Sequence, residues 1–246
     1  MIKQLFFSIV LGALLFTSCS KDENADINIV YKTTVGQELL QHNATYNINS
    51  TDVQFTNVAY YVGDMSFTLS NSTSFTSQNR YQLITPGEFT YSFSLENVGE
   101  DEVDFNQASF FIGVDSLTNQ QTEQEITDRE EGDPLGFQNP SMHWGWTGGY
   151  KFMSIDGLAD VDGDGEFETT LIYHLGFDDF LKDFSLDVNE SIESGETNYK
   201  IIFDVDKFLS NVNFETENFT KVTPDSYDLA LKLYNNYDNA VSISKI

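Results

Sequence analysis

The chain has 246 residues, with 39 Asp and Glu against 12 Lys and Arg, for a formal net charge of −27 at pH 7. Such a surface repels phosphate backbones, whose binding needs a basic patch, so nucleic acid is excluded as a partner. Hydrophobic residues at 40% and aromatics at 14% are too much apolar material for a disordered acidic chain, and a folded protein with a solvated acidic surface is expected.

Residues 2–18 carry Lys3 as their only charge and an apolar run from Leu5 to Phe16. That run has the length of a secretory h-region and falls short of the roughly 20 residues that span a bilayer. Residues 1–18 therefore read as a signal peptide. Thr17 and Ser18 precede Cys19, the only cysteine of the chain. The segment resembles a bacterial lipobox, which implies lipidation of Cys19 and a membrane anchor through the lipid. A single cysteine excludes intramolecular disulfides. Residues 19–27 are polar and small, a flexible tether. Acidic residues directly after such a cysteine resemble the surface-export signal of some Gram-negative lipoproteins; the competing reading is a solvated leader that happens to be acidic. The expected address is the outer membrane, with exposure on the cell surface under the export reading.

The body, residues 28–246, alternates apolar and polar residues with period two, the pattern of strands with one buried face. In chain order the expected strands are Val53–Tyr61, Met65–Leu69, Phe89–Leu95, Ser109–Val114, Leu171–Leu175, Tyr199–Val205, Tyr227–Leu233 and Val241–Ile243. Pro86, Pro134, Pro140 and Pro224 all fall between these runs, where a missing N–H removes no ladder bond. Asp206–Val212 is expected to form a short helical turn, and no longer helix is expected. With no composition shift, linker or internal repeat, the fold class is all-β: a single antiparallel β-sandwich or barrel-like domain. A long acidic loop, Asn119 to Gln138, precedes a W-x-W motif; loops of that length are uncommon unless functional.

The most distinctive residues lie between 110 and 176. They read Gly113-Val114-Asp115-Ser116, Asn119, Asp133-Pro134, Met142-His143-Trp144-Gly145-Trp146, Gly149-Tyr150-Lys151-Phe152, Asp156-Gly157 and His174-Leu175-Gly176. In this order, with Tyr60-Tyr61 before them and Phe203-Asp204-Val205-Asp206 after, they resemble the MbnP-like family. The resemblance implies a secreted or periplasmic all-β protein that binds copper. In some members it also implies a tryptophan oxidised to kynurenine by a partner di-haem, peroxidase-like enzyme, the modified residue assisting copper binding.

Ligand chemistry is compatible with that expectation, because copper favours imidazole and, as Cu(I), thioether sulfur. His174, His143 and Met142 are the donors of those types near the motifs. His174 shares a strand face with Ile172, opposite Leu171, Tyr173 and Leu175, a position that suits either a ligand or a hydrogen-bonded core histidine. Where the family often has a histidine near the start of the domain, this chain has Lys32, whose ammonium is no copper ligand; His42, ten residues on, is either a replacement or a surface-loop histidine. Trp144 and Trp146 are two apart and would project from one strand face about 7 Å from each other. They are the candidates for modification, or else plugs of the core, and Gly145, Gly148 and Gly149 leave room beside them.

A second metal signal is Asp160-Val161-Asp162-Gly163-Asp164-Gly165, three carboxylates at alternate positions, with Glu166 or Glu168 to close a shell of hard oxygen ligands for Ca²⁺. Leu171 at the twelfth position rules out a complete EF-hand, and an acidic hairpin turn without an ion is the other reading. The chain contains no G-x-S-x-G, Walker or H-E-x-x-H motif, and the expectation is a protein that is not an enzyme. Two functions follow: copper capture or handling by a lipoprotein, or a calcium-stabilised structural or adhesive surface module whose copper site has degenerated.

Overall fold

The computed structural model describes residues 24–95, 103–145, 148–192 and 194–246. The expected signal peptide, Cys19 and Trp146 lie outside the described residues. The first eight strands are β1 (Ala25–Val35), β2 (Glu38–Leu39), β3 (Thr45–Ile48), β4 (Thr51–Leu69), β5 (Ser74–Thr76), β6 (Tyr81–Ile84), β7 (Glu88–Leu95) and β8 (Asp104–Ile112). Helices α1 (Ser116–Asn119) and α2 (Glu123–Thr127) follow. Then come β9 (Lys151–Asp160), β10 (Thr169–Gly176), β11 (Lys182–Ser191), β12 (Gly195–Asp204), α3 (Val205–Phe208), β13 (Phe219–Thr220), α4 (Tyr227–Ala240) and β14 (Val241–Lys245).

The strands form two curled sheets. One runs β14-β12-β1 and continues with β2 and β7, both on β1; the other runs β11-β8-β4-β9-β10-β13, with β3, β5 and β6 also on β4. Pairing is antiparallel except for β1 with β12 and β10 with β13. The expected all-β sandwich is therefore present, with two parallel pairs in otherwise antiparallel sheets. The runs expected at Val53–Tyr61 and Met65–Leu69 are one 19-residue strand, β4, whose register against β8 shifts between Gly63 and Ser66.

One expected strand is a helix. Tyr227–Leu233 opens the 14-residue α4, and nothing in the period-two reading anticipated a helix of that length. Leu229, Ala230, Leu233, Tyr237 and Ala240 are its buried residues, a face of helical spacing, whereas Leu231 is 42% exposed. Leu229 and Leu233 are four apart, a spacing that strand and helix periods share. The preceding Thr223 and Ser226 form a capping box around Pro224, a start signal for a helix.

Alternation along the strands builds two apolar layers. Val58, Tyr60 and Val62 of β4, Phe110 and Ile112 of β8, and Met153 and Ile155 of β9 enter the main core between the sheets. The opposite faces of the same strands contribute Ala59, Tyr61, Phe111 and Phe152 to a second cluster. That cluster is roofed by the long segment before β9 through Val114, Ile126, Leu135, Met142 and Tyr150. The segment is thus a cap with its own apolar anchors. Asp115 fastens its start: its carboxylate accepts the Tyr81 and Thr118 hydroxyls and the amides of Leu117 and Thr118.

Candidate metal centre

The hairpin β9–β10 carries the candidate residues. His174 is paired in register with Ser154, and Ser154 with Ala59 of β4; Asp156 is paired with Asn57. Since alternate residues share a face, His174, Ser154 and Asp156 stand on the outer side of the sheet, beside the second apolar cluster. A bulge brings them together. The β4–β9 register shifts between Phe55 and Asn57, opposite Gly157, where an added Cβ would lie 2.5 Å from the Gln54 carbonyl oxygen. Glycine at 157 lets β4 close on β9, which sets Asn57 beside Asp156.

Asp156 is the hub of a polar cluster. Its Oδ1 lies 2.7 Å from His174 Nε2, and its Oδ2 accepts from Asn57 Nδ2 at 3.0 Å and from Ser154 Oγ at 3.0 Å. Asn57 Nδ2 also donates to Ser154 Oγ at 3.1 Å. Burial raises the Asp156 pKa, but the hydrogen bond and charge of His174, with those from Asn57 and Ser154, outweigh it and hold the carboxyl below its ordinary value. The His174 side chain is only 8% exposed, and its Nδ1 is buried with no hydrogen-bond partner among the described residues. In the neutral form of the ring, a carboxylate on Nε2 favours the proton there, which leaves Nδ1 as a lone pair. Buried polar atoms are rarely left so.

Trp144 lies on the same part of the hairpin. A Cβ at Gly176 would fall 2.6 and 2.7 Å from its ring carbons and 2.7 Å from the Tyr150 carbonyl oxygen, so the glycine two residues after His174 makes the slot for the indole. Phe177 closes the slot, its ring 4.7 Å from that of Trp144, while its own backbone takes φ +66°, unusual for a bulky residue. Trp144 Nε1 is also buried without a hydrogen-bond partner among the described residues. The segment around it is a small ladder, with Lys151 N donating to Met142 O and Trp144 N to Gly149 O. Gly148 does leave room, since a Cβ there would sit 2.8 Å from Trp144 Cβ.

The other copper candidates are placed differently. Met142 points into the second apolar cluster and is 3% exposed. The His143 ring packs edge-on against Tyr150, with centroids 4.9 Å apart, and its Nδ1 accepts from Gly145 N at 3.0 Å. Burial lowers the His143 pKa, which keeps the ring neutral at pH 7. His42 is exposed in the turn between β2 and β3, and Lys32 is on β1, in the other sheet from His174. The remaining motif residues tie elements together: Asp204 Oδ1 accepts from Gly36 N at 2.8 Å, and Thr33 Oγ1 lies 3.1 Å from the Tyr60 hydroxyl.

At the far end of the hairpin, Asp160, Asp162, Asp164 and Glu168 each offer an oxygen, all within 4.8 Å of one another; Glu166 is exposed in the turn and outside that set. Asp160 is buried and already engaged, its two oxygens accepting the amides of Gly163, Asp164 and Gly165 at 2.7 to 3.2 Å.

Asn57, Ser154, Asp156 and Phe177 escaped the sequence reading as site residues. A signal existed in β9, where Ser154 and Asp156 are polar at even positions of a run apolar at odd ones, the phase that His174 also keeps.

Fold and site together define a two-sheet β protein with a buried histidine–carboxylate pair beside a slotted tryptophan. The chain belongs to the MbnP family, whose model matches residues 24–224. A solved structure titled "MbnP from Methylosinus trichosporium" is similar in fold, with a TM-score of 0.54 and 11% sequence identity over 91% of this chain and 99% of that one. No curated protein matches significantly.

Proposed function

We infer that this protein is a copper-binding lipoprotein, surface-exposed or facing the periplasm, that captures or handles copper without catalysing a reaction. The observation that carries the reading is the buried Nδ1 of His174, which has no hydrogen-bond partner among the described residues, with Asp156 on Nε2. Histidines that ligate metals characteristically give their other ring N–H to a carboxylate, which fixes the tautomer and raises ligand basicity. His174 would be the imidazole ligand, with His143 and Trp144 at hand, and Asn57 and Ser154 would hold Asp156. Family membership supports copper as the metal. Lys32 in place of a family histidine argues for a site of fewer protein ligands. Anchoring through Cys19 and a di-haem, peroxidase-like partner acting on Trp144 or Trp146 belong to the same proposal.

Titration with copper against a competing chelator tests it: His174→Ala should lose binding, and equal affinity in both proteins would overturn the reading. Mass measurement on protein from the native host tests the modification, since conversion of tryptophan to kynurenine gains one oxygen and loses one carbon. The second reading, a calcium-stabilised structural or adhesive module, has its own support in the four converging carboxylates.

A further inference from the structure

Carboxylates neutralise most of the few cations of this chain. Arg80, Arg129, Lys182, Lys207, Lys232 and Lys245 each have a carboxylate oxygen within 4.0 Å. Lys151, Lys200 and Lys221 have no such carboxylate among the described residues, although the chain holds 39 acidic side chains. Two of these three stand together at the metal centre.

Lys151 and Lys221 flank the part of β10 that carries His174, because β10 lies between β9 and β13. On β9, Lys151 is paired with Gly176, two residues after His174. On the other side Thr220 is paired with Tyr173, so Lys221 follows Thr220 as His174 follows Tyr173. Phe219, paired with Ile172, is 45% exposed, and the Lys221 ammonium lies 5.6 Å from the centre of its ring. Both therefore stand on the outer side of the sheet, which Ile172 shares with His174. Lys151 is half-buried, and its Nζ donates to the Ser141 carbonyl at 2.8 Å. Burial lowers the Lys151 pKa; the charge of Asp156 opposes this, and that of Lys221 adds to it. The two ammonium groups thus act on each other, and the carboxylate nearest them, Asp156, has both oxygens committed to His174, Asn57 and Ser154.

We propose that Lys151 and Lys221 hold a small monovalent anion from solution, which serves as a ligand of the copper on His174; the proposal rests on the copper reading above. Two like charges without a carboxylate between them attract an anion, and a metal ion on Nδ1 adds positive charge at the same place. Ligand count points the same way. With Lys32 where a family histidine often stands, the protein's own donors leave coordination positions of copper open, and the anion fills one while offsetting the charge. The net charge of −27 repels polyanions and selects a small, singly charged one with a lone pair for copper, the chemistry of chloride. Coupling between the two sites is reciprocal, so the anion tightens copper binding by the factor by which copper tightens the anion.

The test is competition for copper between the full chain and a chelator that fills the metal's coordination sphere, in sodium chloride and in sodium perchlorate at equal ionic strength. Chloride complexes of free copper then cancel from the comparison. Wild type should bind copper at least about fivefold more tightly in chloride. Lys151→Gln and Lys221→Gln should lose that difference, whereas Lys200→Gln, on β12 of the other sheet, should keep it. X-ray absorption at the copper edge, with bromide as the salt, should show bromide on the metal of wild type. If Lys151→Gln fails to fold for want of its Ser141 contact, Lys221→Gln at an exposed position decides. Equal affinity in both salts, no bromide on copper, or a chloride effect that survives Lys221→Gln would overturn the proposal alone, provided that His174→Ala still loses copper. A His174→Ala protein that binds copper like wild type overturns the copper reading and this proposal with it.

Discussion

The two ends of the β9–β10 hairpin hold opposite kinds of donor set. At the turn, Asp160, Asp162, Asp164 and Glu168 offer hard oxygens, mostly in solvent, and the one buried carboxylate already accepts three backbone amides. At the other end His174 offers a nitrogen that is buried and has no hydrogen-bond partner among the described residues. At the turn, backbone amides already do part of an ion's work on Asp160. At the histidine end, Nδ1 is buried and no described residue reaches it with a hydrogen bond. Proximity of ligand atoms alone would rank the turn first, whereas unmet hydrogen-bonding capacity ranks His174 first.

The largest effect should come from breaking the histidine end. His174→Ala should lower copper affinity by about 100-fold or more, roughly 2.7 kcal/mol. Asp156→Asn keeps the shape but not the charge, and should cost about 10- to 100-fold, the range for groups that orient a ligating histidine. Competition titration resolves both. If Asp156→Asn binds copper like wild type while His174→Ala does not, the carboxylate is structural and only the histidine belongs to the centre.

Next in size is the slot for Trp144. Gly176→Ala places a methyl 2.6 to 2.7 Å from the indole and from the Tyr150 carbonyl, and the backbone oxygen cannot turn aside as a flexible side chain would. Overpacking of this kind costs about 1–3 kcal/mol, or roughly 2–4 °C of melting temperature per kcal/mol for a domain of this size. Tryptophan emission should shift with it, since the ring has to leave its slot. A variant that melts with wild type would mean that Trp144 is loosely held.

A smaller effect sharpens the account of Asp156 in the metal-free protein. Its pKa is lower folded than unfolded, so it adds stability that is fully present above the unfolded value near pH 4 and lost as pH falls through the lower folded value. Asp156→Asn has no such proton to gain at this position, and its stability should fall less steeply than wild type below about pH 4. Parallel acid limbs in urea melts at several pH values would remove the hydrogen-bonded hub from the description.

Much of this was legible in the sequence, and the misses have physical causes. Strand phase placed His174 opposite Leu171, Tyr173 and Leu175, because alternation is a property of a single strand. Asp156 escaped as its partner because their meeting depends on register between strands, and Asn57 lies 99 residues from Asp156 in the chain. Helix α4 was hidden by Leu229 and Leu233, whose spacing fits both periods. The acidic loop before the W-x-W motif was visible as long and polar, but Ile126, Leu135 and Met142 were too sparse to announce an apolar roof. Met142, a ligand candidate for its sulfur chemistry, is packed in that roof.

The smallest expected effect is at the turn. Calcium bound by the folded state alone stabilises by an amount that grows with the ratio of free ion to Kd, about 2.7 kcal/mol at 100 times Kd. Asp160 is committed to the Gly163, Asp164 and Gly165 amides, so an ion has to share that carboxylate or rely on the exposed Asp162, Asp164 and Glu168. Exposed, self-repelling carboxylates lose part of the attraction to water and salt. The expected gain at millimolar calcium is therefore under about 2.7 kcal/mol, a rise of a few degrees in melting temperature, and Asp162→Asn/Asp164→Asn should abolish it. Asp160→Asn should destabilise the protein with or without calcium, because it weakens the acceptor that folds the turn. If that variant melts with wild type in chelator but loses the calcium increment, Asp160 serves the ion rather than the turn, and the contrast between the two ends of the hairpin disappears.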